Sequence, residues 1–164
     1  MERPEQASET IVVRDLSAKD FEAVIALDAR ILGRRREEYF RVKLQESQSQ
    51  TGIKVSLAAE RGGLFCGFLL ARVYYGEFGT LEPVAVLDTL GVHPGFRGQG
   101  VGAALQRQLH TNLAGLGVSV LRTEVSWDDQ HLLGFFHRQG FRPAARFCLD
   151  LDLGKPAPER GEPR

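Results

Sequence analysis

Cysteine, methionine and tryptophan are nearly absent from this 164-residue chain, which has two cysteines, one methionine and one tryptophan. Cys66 and Cys148 sit in the apolar runs LFCGFLLA and RFCLDL. Nothing there suggests a disulfide scaffold, and each thiol is expected to act as a small hydrophobe. Net charge is missing as well. Lys plus Arg and Asp plus Glu stand at 21 each, so no global field draws the chain to nucleic acid or to an anionic membrane. Arg34-Arg35-Arg36 is the tight basic run, and three arginines before a helix read as a solvated turn. No apolar stretch approaches the roughly 20 residues that span a bilayer. The polar start MERPEQASET has no signal-peptide core. His93, His110, His131 and His137 form no paired-cysteine or H-E-x-x-H pattern, so no metal is expected. A G-x-S-x-G elbow is absent too, which argues against a serine hydrolase. Together these absences point to a cytoplasmic protein with no nucleic-acid, membrane or metal partner.

What is present is an ordinary globular composition, 43% apolar and 26% charged. Residues 1–9 and 154–164 are rich in Pro, Gly and charge and are expected to be disordered tails around one domain, 10–153. Within it, 11–16 reads as a strand. Ser17 to Asp20 opens a helix carrying Phe21, Val24, Ile25, Ile31 and Leu32 at helical spacing. A second helix is expected over 36–46. Strands over 54–60 and 64–75 flank Gly62-Gly63, a hairpin signal. Another strand spans 83–92. After a glycine-rich loop, a helix places Leu105, Leu109, Leu113 and Leu116 on one stripe. Residues 118–125 are strand-like, 129–139 form a short helix stopped by Gly140, and Phe141 with 146–153 supplies the last strand or two. The order βααβββαβαβ implies an α/β fold: a mixed, mostly antiparallel sheet with helices on both faces.

The segment from Leu87 to Gly102, LDTLGVHPGFRGQGVG, carries most of the chemistry. A strand runs into a turn, the turn into a helix, and glycines occupy 98, 100 and 102. Glycine permits positive φ, so successive N–H groups can point into one concavity. The helix N-terminus adds its positive dipole end, which makes a phosphate site without a metal. A P-loop would need lysine where Val101 stands. Gly98-Gln99-Gly100-Val101-Gly102-Ala103 does satisfy the dinucleotide fingerprint, with Glu124 about 20 residues further on. Against that reading, the strand ends several residues before the first glycine, and only about 60 residues follow, too few for two mononucleotide halves.

Arg97-Gly98-Gln99-Gly100-Val101-Gly102 resembles the acyl-CoA loop of the GNAT acetyltransferase superfamily, [RQ]-x-x-G-x-[GA]. Leu90-Gly91-Val92-His93-Pro94 is similar to the strand that leads into it, and DQHLLGFFHRQGF to the family helix ending in a Gly-Phe pair. The resemblance runs over about 11–153 and is sharpest from Asp88 to Phe141. It implies an N-acetyltransferase using acetyl-CoA on an amine of a small molecule or protein. Arg97 and the N–H groups from Gln99 to Gly102 would hold the pyrophosphate, with Gly98 in the loop. Leu90, Gly91 and Val92 would bind the pantetheine arm, and the Val92 N–H would polarise the thioester carbonyl. Asp129 stands where the family usually has a cofactor-contacting asparagine. Phe136 occupies the position of the usual tyrosine acid, so that acid is unassigned. His137, Tyr74 and Tyr75 are candidates, or the thiolate leaves unaided. Phe136 also keeps open a non-catalytic acyl-CoA-binding module. Homodimers occur in the family, and no sequence feature decides that here.

For a base, Asp88 and Glu124 are the candidates. Asp88 lies in an apolar strand four residues before Val92, hence on its face. The glutamate base of some family members aligns with Val86. Asp88 could equally pair with a basic or hydroxyl partner in the sheet. Asp28 falls in the apolar stripe of the first helix, where it would anchor an acceptor cation or pair with an arginine.

Overall fold

The structure is a computed structural model describing residues 10–49, 55–75, 79 and 81–154. The expected tails, Gly154 apart, lie outside the described residues, as does residue 54 of the second expected strand. Alternating apolar runs become the strands of one sheet: β1 (Ile11–Asp15), β2 (Leu57–Arg61), β3 (Leu64–Tyr74), β4 (Val84–Val92) and β5 (Val120–Thr123). They lie in the order β1-β2-β3-β4-β5. The first four pair antiparallel as a meander, and β5 joins β4 in parallel. Gly62 and Gly63 take φ of 57° and 75° and close the β2–β3 hairpin. Two consecutive positive φ values suit the twist of paired strands.

A parallel strand needs a crossover, supplied by α3 (Val101–Gly115). With α4 (Gln130–Arg138) it covers one face of the sheet. Val101, Leu105, Leu109 and Leu113 are buried there with Leu69, Ala85, Leu87 and Phe136. The other face is covered by α1 (Phe21–Leu32) and α2 (Glu37–Ser49), where Val24, Ile25, Leu27 and Phe40 pack on Phe68 and Leu70. The mixed sheet between two helical layers is the expected α/β architecture. Leu116 lies just past the end of α3 and is exposed, so Val101 rather than Leu116 completes the stripe. Leu32 is likewise exposed, and Leu27 takes its place in the core.

Two further differences matter for function. β5 has four residues instead of the eight expected, because β4 and β5 part company after Leu87. Residues 146–153 form no ladder. Phe147, Leu149, Leu151 and Leu153 are between 74% and 94% exposed, so the last strand of the expected order is not made among the described residues. A strand requires a neighbour for its N–H and C=O groups, and alternation alone does not provide one. Cys148 lies in this exposed stretch, whereas Cys66 is buried with its Sγ 3.4 Å from the Ala59 carbonyl. Only Cys66 therefore behaves as the expected buried hydrophobe, and burial pushes its thiol pKa up.

Candidate active site

Five residues of β4 continue past the end of its pairing with β5. The ladder runs from Val84 opposite Val120 to Leu87 opposite Thr123, and Thr123 Oγ1 donates to the Leu87 carbonyl at 2.9 Å. Beyond that point β4 keeps β3 on one side only. The pairing with β3 is also irregular here: Leu70 opposes Thr89 and Ala71 opposes Leu87, leaving Asp88 as the extra residue of a β-bulge. The bulge overturns the expected parity. Leu87, Leu90 and Val92 face the α3 layer, while Asp88 and Thr89 both turn toward α2. Asp88 is therefore on the opposite face from Val92. Its carboxylate lies 3.1 Å from Arg72 and 3.3 Å from Lys43, and Tyr39 Oη is 3.1 Å from Thr89 Oγ1. The basic-partner reading of Asp88 is what the structure displays.

The direction of Val92 follows from its neighbour. The His93 N–H donates to the Cys66 carbonyl on β3 at 2.9 Å. Adjacent residues of a strand point their N–H groups to opposite edges, so the Val92 N–H points into the gap between β4 and β5. Gly91 lets this segment lie flat: a Cβ there would come 2.6 Å from the Phe68 ring.

After β4 the chain makes a 3₁₀ turn over Pro94–Phe96, started by His93, whose Nδ1 accepts from the Gly95 N–H at 3.0 Å. Gly98 and Gly100 then take φ of 73° and 86°, with nothing within 4 Å of a Cβ at either. Gly102 differs, since a Cβ there would meet the Phe135 ring at 3.2 Å. Its smallness serves helix packing. The N–H groups of Gly98, Gly100, Val101, Gly102 and Ala103 have no acceptor among the described residues. The Gln99 N–H is used within the turn, on the Phe96 carbonyl at 3.3 Å, and so leaves the expected donor set. Arg97 is exposed beside these donors, and residues 93–102 include no acidic side chain. Arg61, from the β2–β3 hairpin, donates to Gln99 Oε1 and brings a second cation to the loop. This donor set fits a pyrophosphate.

Residues 14–141 match the model of the acetyltransferase (GNAT) family. The chain belongs to that family. Among curated relatives, a peptidyl-lysine N-acetyltransferase, YjaB, from Salmonella typhimurium is 36% identical over 72 residues, 44% of this chain and 46% of the relative. The match thus spans less than half of that relative's length. Similar solved structures include an aminoglycoside N-acetyltransferase, AAC(6')-Iy, in complex with CoA (TM-score 0.75, 17% identity, 90% of this chain and 98% of that one). Another is the ribosomal-protein-S18-alanine N-acetyltransferase from Escherichia coli (TM-score 0.68, 21% identity, 82% and 79% covered). At these identities the structural likeness speaks for the fold.

Of the remaining candidates, Asp129, Phe136 and Asp28 have structural employment. Asp129 is the N-cap of α4, accepting from the Leu132 N–H at 2.9 Å. Phe136, at the usual tyrosine position of a GNAT enzyme, is buried edge-on against Phe135 and Phe141 at 5.2 and 4.9 Å. Asp28 is buried and held bidentately by Arg36 at 2.6 and 2.9 Å, which raises the guanidinium pKa further. Glu124 follows directly on β5 at the mouth of the gap, exposed and without a charged partner among the described residues. His137 is exposed on α4, Tyr74 packs against the Arg72 guanidinium, and Tyr75 is exposed. Sequence reasoning missed Arg61, Arg72, Lys43 and Tyr39. Arg72 had a visible signal, being a lone charge in the apolar run FLLARVYY. Tyr39 and Lys43 lie four apart on α2, one helical face. Arg61 gave none, because only the tertiary fold sets the hairpin beside the loop.

Proposed function

We propose that this GNAT-family chain transfers acetyl from acetyl-CoA to a primary amine by direct attack of the neutral amine on the thioester. The observation that carries this is the parting of β4 and β5 after Leu87, which leaves the Val92 N–H directed into a gap that leads to the glycine loop. Acetyl-CoA supplies the activated acyl group. The chain's own parts bind and polarise. The N–H groups from Gly98 to Ala103, Gln99 excepted, take the pyrophosphate with Arg97 and Arg61. Leu90, Gly91 and Val92 line the pantetheine path, and the Val92 N–H donates to the carbonyl oxygen as charge grows on it. Asp129 and Phe136 contribute by fixing α4 as the wall of this path.

Glu124 is the better of the two base candidates. Asp88 is neutralised by two cations, Arg72 and Lys43, both on its Oδ2, whereas Glu124, directly after β5, has no charged partner among the described residues and keeps its lone pairs available to an amine proton or a bridging water. Thr89, Tyr39 and Asp88 form the opposite, acceptor-side wall. Asp28 acts there through Arg36, which it holds against Tyr39. The buried Phe136 offers no proton, so the thiolate departs on its own acidity.

The test is calorimetric titration of the protein with acetyl-CoA, CoA and NADH. Micromolar acetyl-CoA binding and none for NADH is expected, with loss of binding in a folded Gly100→Glu variant, where a carboxylate enters the phosphate nest. NADH binding without acetyl-CoA binding would overturn the assignment. Binding without transfer to any amine in a broad screen would instead leave an acyl-CoA-binding module.

A further inference from the structure

Three polar side chains are buried among the described residues: Asp20, Asp28 and Gln106. Two are accounted for, since Arg14 holds Asp20 and Arg36 holds Asp28. Gln106, on α3, is the exception. It is fully buried at 0% exposure, and neither its Oε1 nor its Nε2 has a hydrogen-bond partner. A primary amide can donate two hydrogen bonds and accept two. Burying it with none of them made is costly, and native folds keep such groups chiefly where a functional role or an ordered water accounts for them.

The position of Gln106 separates these two explanations. A Cβ on Gly102 would meet the Phe135 ring of α4 at 3.2 Å and Val92 Cγ2 at 3.7 Å. Gly102 therefore stands where α3, α4 and the part of β4 beyond its pairing with β5 come together. Gln106 follows one turn later, and four residues carry a helix about 40° past a full circle. That rotation leads away from Leu105 and toward α4. Long helical side chains also lean back over the turn before their own Cα. For Gln106 this is the turn where Gly102 has no side chain, so the amide is set in the seam between α3 and α4, behind Val92. The side chains packed around that seam, Val92, Leu132 and Phe135, are apolar, which leaves a trapped water few partners. The pantetheine arm of acetyl-CoA has two amides, each with a C=O and an N–H to offer.

We propose that Gln106 is a binding residue for this arm: from the α3–α4 seam its Nε2 donates to a pantetheine carbonyl and its Oε1 accepts from a pantetheine N–H. The inference rests on the acetyl-CoA reading of the gap and adds to it a side-chain contact from behind β4. Reaching the amide requires the half-buried side chains of the seam, Phe135 among them, to turn aside. Without the arm the amide is a cost to the fold, and with it the amide is paired.

Calorimetric titration with two probes tests this: acetyl-CoA, and 3′-phospho-ADP, which carries the same phosphates and no pantetheine. Gln106→Met keeps an unbranched side chain and removes the amide. Its acetyl-CoA Kd should rise about tenfold, on the scale of one lost hydrogen bond, while its 3′-phospho-ADP Kd stays unchanged. With no ligand added, its urea midpoint should rise, because no buried amide is left unpaired. Gln106→Leu should repeat the pattern and guards against a poor fit of the methionine. Unchanged acetyl-CoA affinity in both variants would overturn the proposal, as would an equal loss for both probes. A lowered urea midpoint in both variants would overturn it too, as the mark of an amide already paired through buried water. Absence of acetyl-CoA binding in the parent protein is the different result that would sink the acetyl-CoA reading itself.

Discussion

The two halves of β4, VAVL and DTLGV, belong to one strand and have different fates. From Val84 to Leu87 the strand is held by β3 on one side and β5 on the other. From Asp88 to Val92 it has β3 alone, a bulge and an open edge. The first half has no polar group to offer, since its N–H and C=O groups are spent on neighbours. The second half keeps main-chain donors available at a fixed place on a rigid strand. That is the condition for polarising a carbonyl without reorganisation. On the proposed function, catalysis draws on hydrogen bonds the sheet does not make.

The strongest way to break this contrast is Gly91→Ala. The new Cβ would lie 2.6 Å from the ring of the fully buried Phe68, so β4 must shift and carry Val92 with it. Turnover with an accepted amine should fall about 100-fold, with a stability loss of about 1–3 kcal/mol in chemical denaturation. Normal turnover would mean that the open half does not position the reacting carbonyl. Equal to it on turnover but without the stability loss, Glu124→Gln should lower turnover about 100-fold at unchanged acetyl-CoA affinity and remove a limb of the pH–rate profile. Asp88→Asn should cost less. If the order is reversed, the bulge carries the base.

Asp20 sharpens the comparison as a carboxylate placed for structure. It caps the first turn with Ser17 and takes both Arg14 nitrogens at 2.8 Å, with Glu60 on the same guanidinium. Chiefly through the Arg14 bond, its pKa is lowered from 3.8 to about 2. The folded value lies below the unfolded one, so the stabilisation is complete above about pH 4 and fades as pH falls toward 2. Asp20→Asn should therefore cost about 2 kcal/mol at pH 7, a deficit that shrinks on acidification, while turnover stays normal. Denaturation at pH 7 and at pH 2.5 reads this directly. The smallest effect is expected for Thr123→Val at the point where the strands part. Losing its bond to the Leu87 carbonyl should cost about 1 kcal/mol of stability, with a lower turnover if the gap widens.

The legible parts of the site were those written in local chemistry. Gly98 and Gly100 could be read because positive φ and the helix start behind them are local requirements. The Gly62-Gly63 turn and the Gly140 stop were legible for the same reason. Asp88 was found as an anomaly, a charge in an apolar strand, but its face was misread. A bulge depends on how β3 and β4 pair, and one inserted residue reverses the alternation that sequence counting relies on. Gly102 also looked like its neighbours in the motif, yet its constraint is the Phe135 ring.

By itself, then, the sequence determined the positive-φ glycines of the loop and the helix start behind them, the alternation of strands and helices, and the lack of a donor at Phe136, all properties of short stretches of chain. Only the tertiary structure decided where β5 leaves β4, which face Asp88 takes, that Arg61 reaches the loop, and that residues 147–153 stand unpaired. Each of these depends on which distant segment lies alongside, and the energy of that choice resides in contacts between segments rather than within them.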